Sequence, residues 1–242
     1  MNLLRVENVT KRFGGLAANA GLSFSLQPGQ IVGLIGPNGA GKTTLFNCIA
    51  GYSPPDEGSV FFDGREITGK PPHEICRLGI ARTFQLVKIF ARMTVLENIM
   101  AGAFLRRVKA ADARRRGLDL LKEIGLGDKR DTLCGALPLP DKKMVEVARA
   151  MATEPRLLLL DEALAGLTGE EMQRAVRFIL KIARNGTAVL AVEHVMEVIM
   201  FISDRVVVLD HGVKIAEDIP ERVCGNTRVV AAYLGKGYAA RK

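Results

Sequence analysis

The feature that most constrains the fold is a glycine-rich turn set between a short apolar run and a helical segment. The run is IVGLI, residues 31–35, and the turn is GPNGAGKTT, residues 36–44. An unbroken apolar run of this length is typical of a central strand that is covered on both faces. The turn fits the pattern G-x-x-x-x-G-K-[ST], and LFNCIAG after it favours a helix. The sequence therefore predicts a strand, a tight loop and a helix in direct succession.

This loop is suited to holding a chain of phosphates. Its glycines let successive backbone N–H groups turn inward, where the start of the following helix adds partial positive charge. Lys42 would bridge the β- and γ-phosphates of a nucleotide, and the Thr43 hydroxyl would bind Mg²⁺. The predicted nucleotide-binding residues of the loop are Gly36, Pro37, Asn38, Gly39, Ala40, Gly41, Lys42, Thr43 and Thr44.

A second chemical signal, LLLLDE at residues 157–162, follows the loop by about 120 residues. Asp161 ends an apolar run, so its carboxylate can reach a magnesium ion beside the phosphates. Glu162, one residue later, can polarise a water for in-line attack on the γ-phosphate. Together the two motifs predict hydrolysis of a nucleoside triphosphate.

Around these motifs the chain alternates between strand and helix patterns. Asp63-Gly64 and His211-Gly212 predict hairpin turns. We predict strands over 2–9, 22–26, 80–84, 156–160 and 187–192, and helices within 93–152 and over 194–202. Strands separated by helices with short connections predict an α/β fold with a mainly parallel sheet.

The composition argues against several classes of protein. The 242 residues are 48% hydrophobic and 25% charged, which is typical of a folded globular domain. No apolar run approaches the roughly 18 residues of a membrane span, and MNLLRVENVT lacks the pattern of a signal peptide. We therefore expect a cytosolic protein, unless a partner subunit holds it at a membrane.

The net charge of +8 fits an anionic ligand, an anionic membrane or nucleic acid, and does not choose among them. Much of this charge comes from Arg106, Arg107, Lys109 and residues 114–116, which we interpret as a solvated helix face. No aromatic residues are interleaved there, and this disfavours single-stranded nucleic acid as a partner.

The cysteines favour free thiols. They are far apart and form no CxxC pair, so a zinc site or a disulfide framework is not expected. We predict buried free thiols at Cys48, Cys76, Cys134 and Cys224.

With the two motifs in this order, the chain resembles the nucleotide-binding subunits of ABC transporters over essentially its whole length. Two more of that family's elements follow in order, ARTFQ ending in Gln85 and AVEH ending in His194. The resemblance implies that Gln85 senses Mg²⁺ and the γ-phosphate, that His194 contacts the γ-phosphate, and that Phe13 stacks on adenine. The predicted catalytic residues are Lys42, Gln85, Glu162 and His194, and the predicted metal ligands are Thr43, Gln85 and Asp161.

The same resemblance implies a P-loop NTPase core with a mainly parallel sheet, an antiparallel β subdomain and an inserted α-helical subdomain. We expect a single ABC ATPase domain. Its core and β subdomain would occupy about residues 1–92 and 153–242, and its helical subdomain about residues 93–152.

Longer stretches point to one branch of the family. LRVENVTKRFGGL, IGPNGAGKTTLFNCIAGY and DRVVVLDHGVKIAED are similar to the ATPases of branched-chain amino acid uptake systems, and a short C-terminal helix around Tyr233 is typical of them. Related ATPases serve urea, short amides and aromatic acids, and one group powers lipopolysaccharide export. The implied partners are a second ATPase subunit, two transmembrane permeases and an extracytoplasmic binding protein. The implied location is the cytoplasmic side of the cell membrane.

One segment departs from the family. Leu137 to Asp141 occupies the place of the signature loop, usually Leu-Ser-Gly-Gly-Gln, which in the family binds the γ-phosphate of the ATP held by the other subunit. Pro138 and Pro140 each remove a backbone N–H, and Leu139 adds bulk. Asp141 adds negative charge, unless it caps its own helix, which we predict from Lys142 onward.

A second departure follows LLLLDE. Ala163 and Thr168 stand where the family usually has proline and then aspartate or asparagine, and Thr168 with Glu171 predicts a capping box instead. Both departures would act on the partner's nucleotide, whereas the residues for this chain's own nucleotide are intact. We therefore expect pairing with a different ATPase subunit, with hydrolysis mainly at this chain's own loop. The alternative is that residues 137–141 are a harmless loop variant that still binds the partner's nucleotide weakly.

Two other functions stay open. One is a regulatory subunit that binds ATP with little turnover, and intact Glu162 and His194 count against it. The other is a DNA- or ribosome-associated ATPase of the same superfamily. Only 95 positions separate Lys42 from Leu137, too few for a long coiled-coil arm, and the sequence has no second G-x-x-x-x-G-K-[ST] motif.

Overall fold

The computed structural model describes residues 2–234 and contains ten strands and nine α-helices in that range. The strands are β1 (Leu4–Phe13), β2 (Leu16–Leu26), β3 (Ile31–Ile35), β4 (Glu57–Phe62), β5 (Arg65–Glu66), β6 (Ile80–Arg82), β7 (Leu157–Asp161), β8 (Ala188–Val192), β9 (Arg205–Asp210) and β10 (Val213–Asp218). The helices are α1 (Lys42–Ile49), α2 (Pro72–Leu78), α3 (Val95–Ala103), α4 (Ala110–Glu123), α5 (Leu139–Ala152), α6 (Gly169–Arg184), α7 (Met196–Ile202), α8 (Pro220–Cys224) and α9 (Thr227–Leu234). Within this described range, none of the helices has the length and apolar character needed to cross a membrane.

The strands form two sheets. The first is antiparallel, with the order β2-β1-β4-β5, and the second has the order β10-β9-β3-β8-β7-β6. In the second sheet β6, β7, β8, β3 and β9 are parallel, and only β10 runs antiparallel, beside β9. The predicted α/β fold with a mainly parallel sheet and a separate antiparallel sheet is therefore confirmed.

The core lies on both faces of the parallel sheet. Successive residues of β3 point to opposite faces, so Ile31 and Ile35 join one buried cluster while Val32 and Leu34 join the other. The first cluster includes the helices α3 to α7, and the second includes α1 and the antiparallel sheet. Because β3 is buried along its whole length, its carboxyl end and the following loop are fixed from both sides.

The helices α3, α4 and α5 pack on one another and lie in the chain between β6 and β7. The start of α3 is a formed capping box. The Glu97 carboxylate accepts the Thr94 backbone N–H over 2.8 Å, and the Thr94 hydroxyl accepts the Glu97 N–H over 3.2 Å. The predicted basic helix face is only partly right: Arg114 and Arg115 on α4 are exposed, whereas Arg116 is half-buried and residues 106–109 precede the helix.

Several predicted boundaries are wrong by a few residues. β1 and β2 are longer than the predicted 2–9 and 22–26, because irregularities in their pairing interrupt the alternation of apolar residues. β6 ends at Arg82 rather than at residue 84, and α7 begins at Met196 rather than at residue 194. These shifts leave the order of the strands and helices along the chain as predicted.

The expectation of four buried thiols is only half right. Cys48 and Cys134 are buried, and burial raises the pKa of each thiol to about 11. Cys76 is partly buried, whereas Cys224 is exposed at the end of α8. All four are free.

Candidate active site

The glycine-rich loop joins β3 to α1, as the sequence predicts. The Lys42 ammonium group lies over the loop and donates to the carbonyl oxygens of Gly36 at 2.7 Å and Pro37 at 3.0 Å. Gly41 has a φ of +97°, and a Cβ atom there would lie 2.2 Å from the Ala18 carbonyl oxygen. Only glycine fits this position, because both the backbone conformation and the close approach of β2 exclude a side chain.

Beside this loop is an open cleft of about 260 Å³. Its lining residues are Ala18, Asn38, Gly39, Ala40, Gly41, Lys42, Thr43, Thr44, Gln85, Glu162 and His194. Most of the residues predicted to hold a nucleotide are therefore brought to one place. Gly36, Pro37, Asp161 and Phe13 do not line the cleft. Phe13 lies at the end of β1 with 54% of its surface exposed.

Three of the predicted catalytic side chains are in direct contact. The Glu162 Oε1 atom lies 2.7 Å from His194 Nε2, and Glu162 Oε2 accepts a hydrogen bond from Gln85 Nε2 over 3.2 Å. These residues come from the ends of β7 and β8 and from the segment after β6. Because β6, β7 and β8 are adjacent and parallel, their carboxyl ends meet at one edge of the sheet.

The backbone of Glu162 is in an unusual conformation. Its φ of +53° lies in the left-handed region, which is costly for a residue with a side chain. Its N–H donates to the Val192 carbonyl oxygen over 2.9 Å, so the strand pairing of β7 with β8 extends one residue into the site. The turn directs the carboxylate toward His194 and Gln85.

Asp161 is almost completely buried behind the cleft. Its Oδ2 atom accepts a hydrogen bond from Arg82 Nη2 over 2.8 Å, and Arg82 Nη1 donates to Asn47 Oδ1 over 2.6 Å. The second carboxylate oxygen, Oδ1, is buried without a hydrogen-bond partner among the described residues. A buried oxygen of this kind is suited to a cation or a cation-bound water.

The electrostatics around Lys42 combine opposing effects. Burial lowers the pKa of the Lys42 ammonium group, while the nearby carboxylates of Glu162 and Asp161 raise it. The buried cation is thus held beside two anions and donates to two backbone carbonyl oxygens.

The structure adds two residues that the sequence analysis does not single out. Lys143 on α5 donates to the carbonyl oxygens of Glu162 and Ala165, and Glu193 after β8 accepts the Leu164 N–H. Both side chains are buried. The sequence contains a signal for each residue: Lys143 is a charged residue within an apolar helix face, and Glu193 is a charged residue directly after an apolar strand.

In the Leu137 to Asp141 segment the helix begins earlier than predicted. Pro138 is the residue before α5, which begins at Leu139 instead of Lys142, and Pro140 lies in the first turn. Asp141 is a residue of that first turn, so the alternative in which it caps the helix is wrong. Its carboxylate forms a salt bridge with Lys129 at 2.6 Å, and this neutralises the charge that would repel a phosphate.

The start of α6 has the predicted arrangement. The Glu171 carboxylate accepts the Thr168 N–H over 3.4 Å, as expected for the return half of a capping box. Thr168 is thereby used within its own helix.

Sequence comparison links this geometry to known proteins. The family model described as "ABC transporter" matches residues 20–165. The high-affinity branched-chain amino acid transport ATP-binding proteins BraF of Pseudomonas aeruginosa and LivG of Escherichia coli are each 38% identical to the chain, over 97% of its length and 98% of theirs. A probable LivG of Archaeoglobus fulgidus is 35% identical over 97% of this chain and 96% of its own.

Solved structures agree with these matches. An ATP-binding cassette of an ABC transporter superposes with a TM-score of 0.89 at 32% identity and covers 97% of this chain and 100% of its own. The ADP conformation of such a cassette gives a TM-score of 0.87, also at 32% identity, with 98% of this chain covered. The chain therefore belongs to the family of ABC transporter ATP-binding subunits.

Proposed function

We propose that the chain is the Mg²⁺-dependent, ATP-hydrolysing subunit of an importer for branched-chain or other hydrophobic amino acids. The observation that supports hydrolysis most directly is the contact of Glu162 with His194 and Gln85 beside the Lys42 loop. Support for the cargo comes from the relatives, which are named as branched-chain amino acid transport proteins. Related importers of urea, amides or aromatic acids are the alternative.

Nucleotide binding would begin with an exchange of partners at Lys42. The ammonium group would leave the carbonyl oxygens of Gly36 and Pro37 and bind the β- and γ-phosphates, whose charge is better matched to it. The N–H groups of the loop, which residues 36–44 supply, would surround the same phosphates. Phe13, exposed at the end of β1, would stack on adenine.

The residues present fit a magnesium ion. The Asp161 Oδ1 atom, which has no hydrogen-bond partner among the described residues, supplies buried negative charge, and Thr43 lines the cleft with Gln85. We assign these three residues to the metal. When bound, Mg²⁺ would neutralise the phosphate charge that develops during transfer.

Glu162 is placed to orient and deprotonate water. Hydrolysis forms a bond between the water oxygen and the γ-phosphorus and breaks the bond to the oxygen bridging the β- and γ-phosphates. The water's proton would pass to Glu162, and His194 would contact the γ-phosphate. Each carboxylate oxygen of Glu162 has one side-chain contact, with Gln85 or with His194, and a further lone pair that can accept a hydrogen bond from the water.

The remaining assignments concern the assembly. We propose that the chain lies at the cytoplasmic face of the membrane with two permeases, a binding protein and a different ATPase subunit, and does not bind nucleic acid. Residues 93–152 would form the helical subdomain and the rest of the chain the core and β subdomain. ATP-driven closure of the ATPase pair would move the Gln85 region and this helical subdomain against the permeases.

The start of α5 supports an unequal pair. Pro138 and Pro140 provide no N–H, and Leu139, the first residue of the helix, adds an apolar side chain that is 57% exposed. A hydrogen bond to a charged group is worth about 1.5–3 kcal/mol, so the loss of two donors and a hydroxyl would weaken the grip on the partner's ATP substantially. The site containing this chain's own loop would therefore perform most of the hydrolysis.

The test uses the assembled transporter, purified with its native partners in mild detergent. Glu162→Gln removes the base and keeps the size of the side chain, and we expect steady-state ATP hydrolysis to fall at least about tenfold. The matched control is Glu170→Gln, an exposed position in the first turn of α6, which should leave the rate unchanged. Survival of most of the hydrolysis in Glu162→Gln would disprove the assignment of the main catalytic site.

A second measurement addresses the cargo and the regulatory alternative. Vesicles containing the complex should accumulate labelled leucine in an ATP-dependent manner. Uptake of urea but not leucine would redirect the substrate, and a wild-type complex without ATPase activity would support the regulatory subunit.

A further inference from the structure

Lys143 fixes the carbonyl side of the catalytic turn. Its ammonium group donates to the Glu162 carbonyl oxygen over 2.8 Å and to the Ala165 carbonyl oxygen over 2.6 Å. The side chain is buried, and burial lowers its pKa while Glu193, Glu162 and Glu146 raise it. A buried cation with carbonyl partners restrains both ends of the 162–165 turn.

Glu193 fixes the middle of the same turn from the other side. Its Oε1 atom accepts the Leu164 N–H over 2.7 Å, and its Oε2 atom is buried without a hydrogen-bond partner among the described residues. Burial raises the pKa of Glu193 to about 7, while the Leu164 N–H and Lys143 lower it. Glu193 directly precedes His194, so the hydrogen bond from Leu164 connects the 162–165 turn to the segment that contains His194.

Together these contacts explain how a strained residue is held. Glu162 has a φ of +53°, and such backbone strain persists only where the surroundings fix it. Val192 holds the N–H of Glu162, and Lys143 holds its carbonyl oxygen. Neither Lys143 nor Glu193 lines the cleft, so neither is placed to touch the nucleotide.

We propose that Lys143 and Glu193 are positioning residues that clamp the 162–165 turn and thereby aim the Glu162 carboxylate. The clamp also connects two parts of the molecule. Lys143 lies one helical turn after Leu139 on α5, so a displacement of the start of this helix would reach the Glu162 backbone through a single side chain. This inference rests on the proposed ATPase function.

The test compares Lys143 variants in the assembled transporter. Lys143→Met keeps the aliphatic stem and removes the donors, and Lys143→Arg restores donors. Lys142→Met, at the neighbouring and partly exposed position, is the matched control. We expect Lys143→Met to lower kcat at least tenfold, with a change in ATP dissociation constant below twofold, and Lys143→Arg to recover at least a third of the wild-type kcat.

The outcomes separate the clamp from the ATPase assignment. Wild-type kcat in Lys143→Met, or a parallel loss of ATP binding and kcat, would overturn the clamp while a slow Glu162→Gln still supports the proposed function. Unchanged hydrolysis in Glu162→Gln would instead overturn the proposed function. If Lys143→Met does not assemble, Glu193→Leu, which removes the acceptor for the Leu164 N–H, provides the same kcat and binding comparison.

Discussion

The ion pair between Arg82 and Asp161 offers a sharp test of how the nucleotide end of the sheet is held together. The exposed fractions of the two side chains are 7% and 1%. The Arg82 guanidinium group also lies 5.2 Å from the ring centre of Phe84 and 5.6 Å from that of Tyr52. Arg82→Met would keep most of the side-chain volume at position 82. It would leave the Asp161 carboxylate buried, with no hydrogen-bond donor to either oxygen among the described residues.

The expected loss is large because the remaining charge cannot reach water. Removal of one partner from a buried ion pair typically costs 3–5 kcal/mol. Loss of the cation from among the aromatic rings adds about 0.5–2 kcal/mol. We therefore expect Arg82→Met to lower the free energy of unfolding by at least about 3 kcal/mol.

The assay is equilibrium unfolding in urea without nucleotide, so that ligand binding does not contribute. The control is Arg156→Met, which breaks the salt bridge between Arg156 and Asp63. The side chains of these two residues are 50% and 53% exposed. Such surface pairs are worth about 0–1 kcal/mol. The double variant Arg82→Met/Asp161→Leu should recover part of the loss, because the unpaired buried charge is gone. A loss below 1 kcal/mol in Arg82→Met, or a double variant less stable than the single one, would refute this reasoning.

Two further predictions concern Glu193 and Gly41. The pKa of Glu193 is raised from its ordinary 4.5 to about 7, so the folded state binds more protons than the unfolded state between these values, and its stability falls as the pH rises through them. Urea unfolding at pH 4.5 and pH 8 should therefore show the wild type losing up to about 3 kcal/mol more than Glu193→Gln, and an equal loss in both would contradict the buried carboxyl. Gly41→Ala would place a Cβ atom 2.2 Å from the Ala18 carbonyl oxygen, so we expect at least tenfold weaker binding of a fluorescent ATP analogue. In Gly39→Ala no atom lies within 4 Å of the new Cβ, and binding should suffer less.

The loop and the sheet around it could be predicted because their sequence signals are local. Residues 31–44 contain the strand, the turn and the start of the helix in one stretch, and each part has a separate physical signature. The contact between Glu162, His194 and Gln85 could be expected only through the family resemblance. His194 lies 32 positions and Gln85 lies 77 positions from Glu162 in the sequence. Composition or spacing alone does not predict that the three meet.

The residues that the sequence analysis missed act through the backbone of other segments. Lys143 binds a backbone carbonyl oxygen and Glu193 binds a backbone N–H. Nearly every residue has both groups, so the side chains of the contacted residues do not indicate these contacts. The orientation of Asp141 was missed for a related reason. Its partner Lys129 lies 12 positions earlier in a short 3₁₀ segment, and only the packed structure brings the two charges within 2.6 Å.

The altered start of α5 and the clamp occupy one helix without conflict. Pro138 and Pro140 are tolerated because a helix does not use the N–H groups at its beginning, and the ring fixes φ near the helical value. The substitutions thus remove donors from the end of the helix and leave its course intact. Lys143, one turn further on, still enters the core and reaches the Glu162 carbonyl oxygen. The proposed weakening of the partner's site is therefore compatible with an intact site on this chain, and the proposed unequal pair of ATPase subunits requires this compatibility.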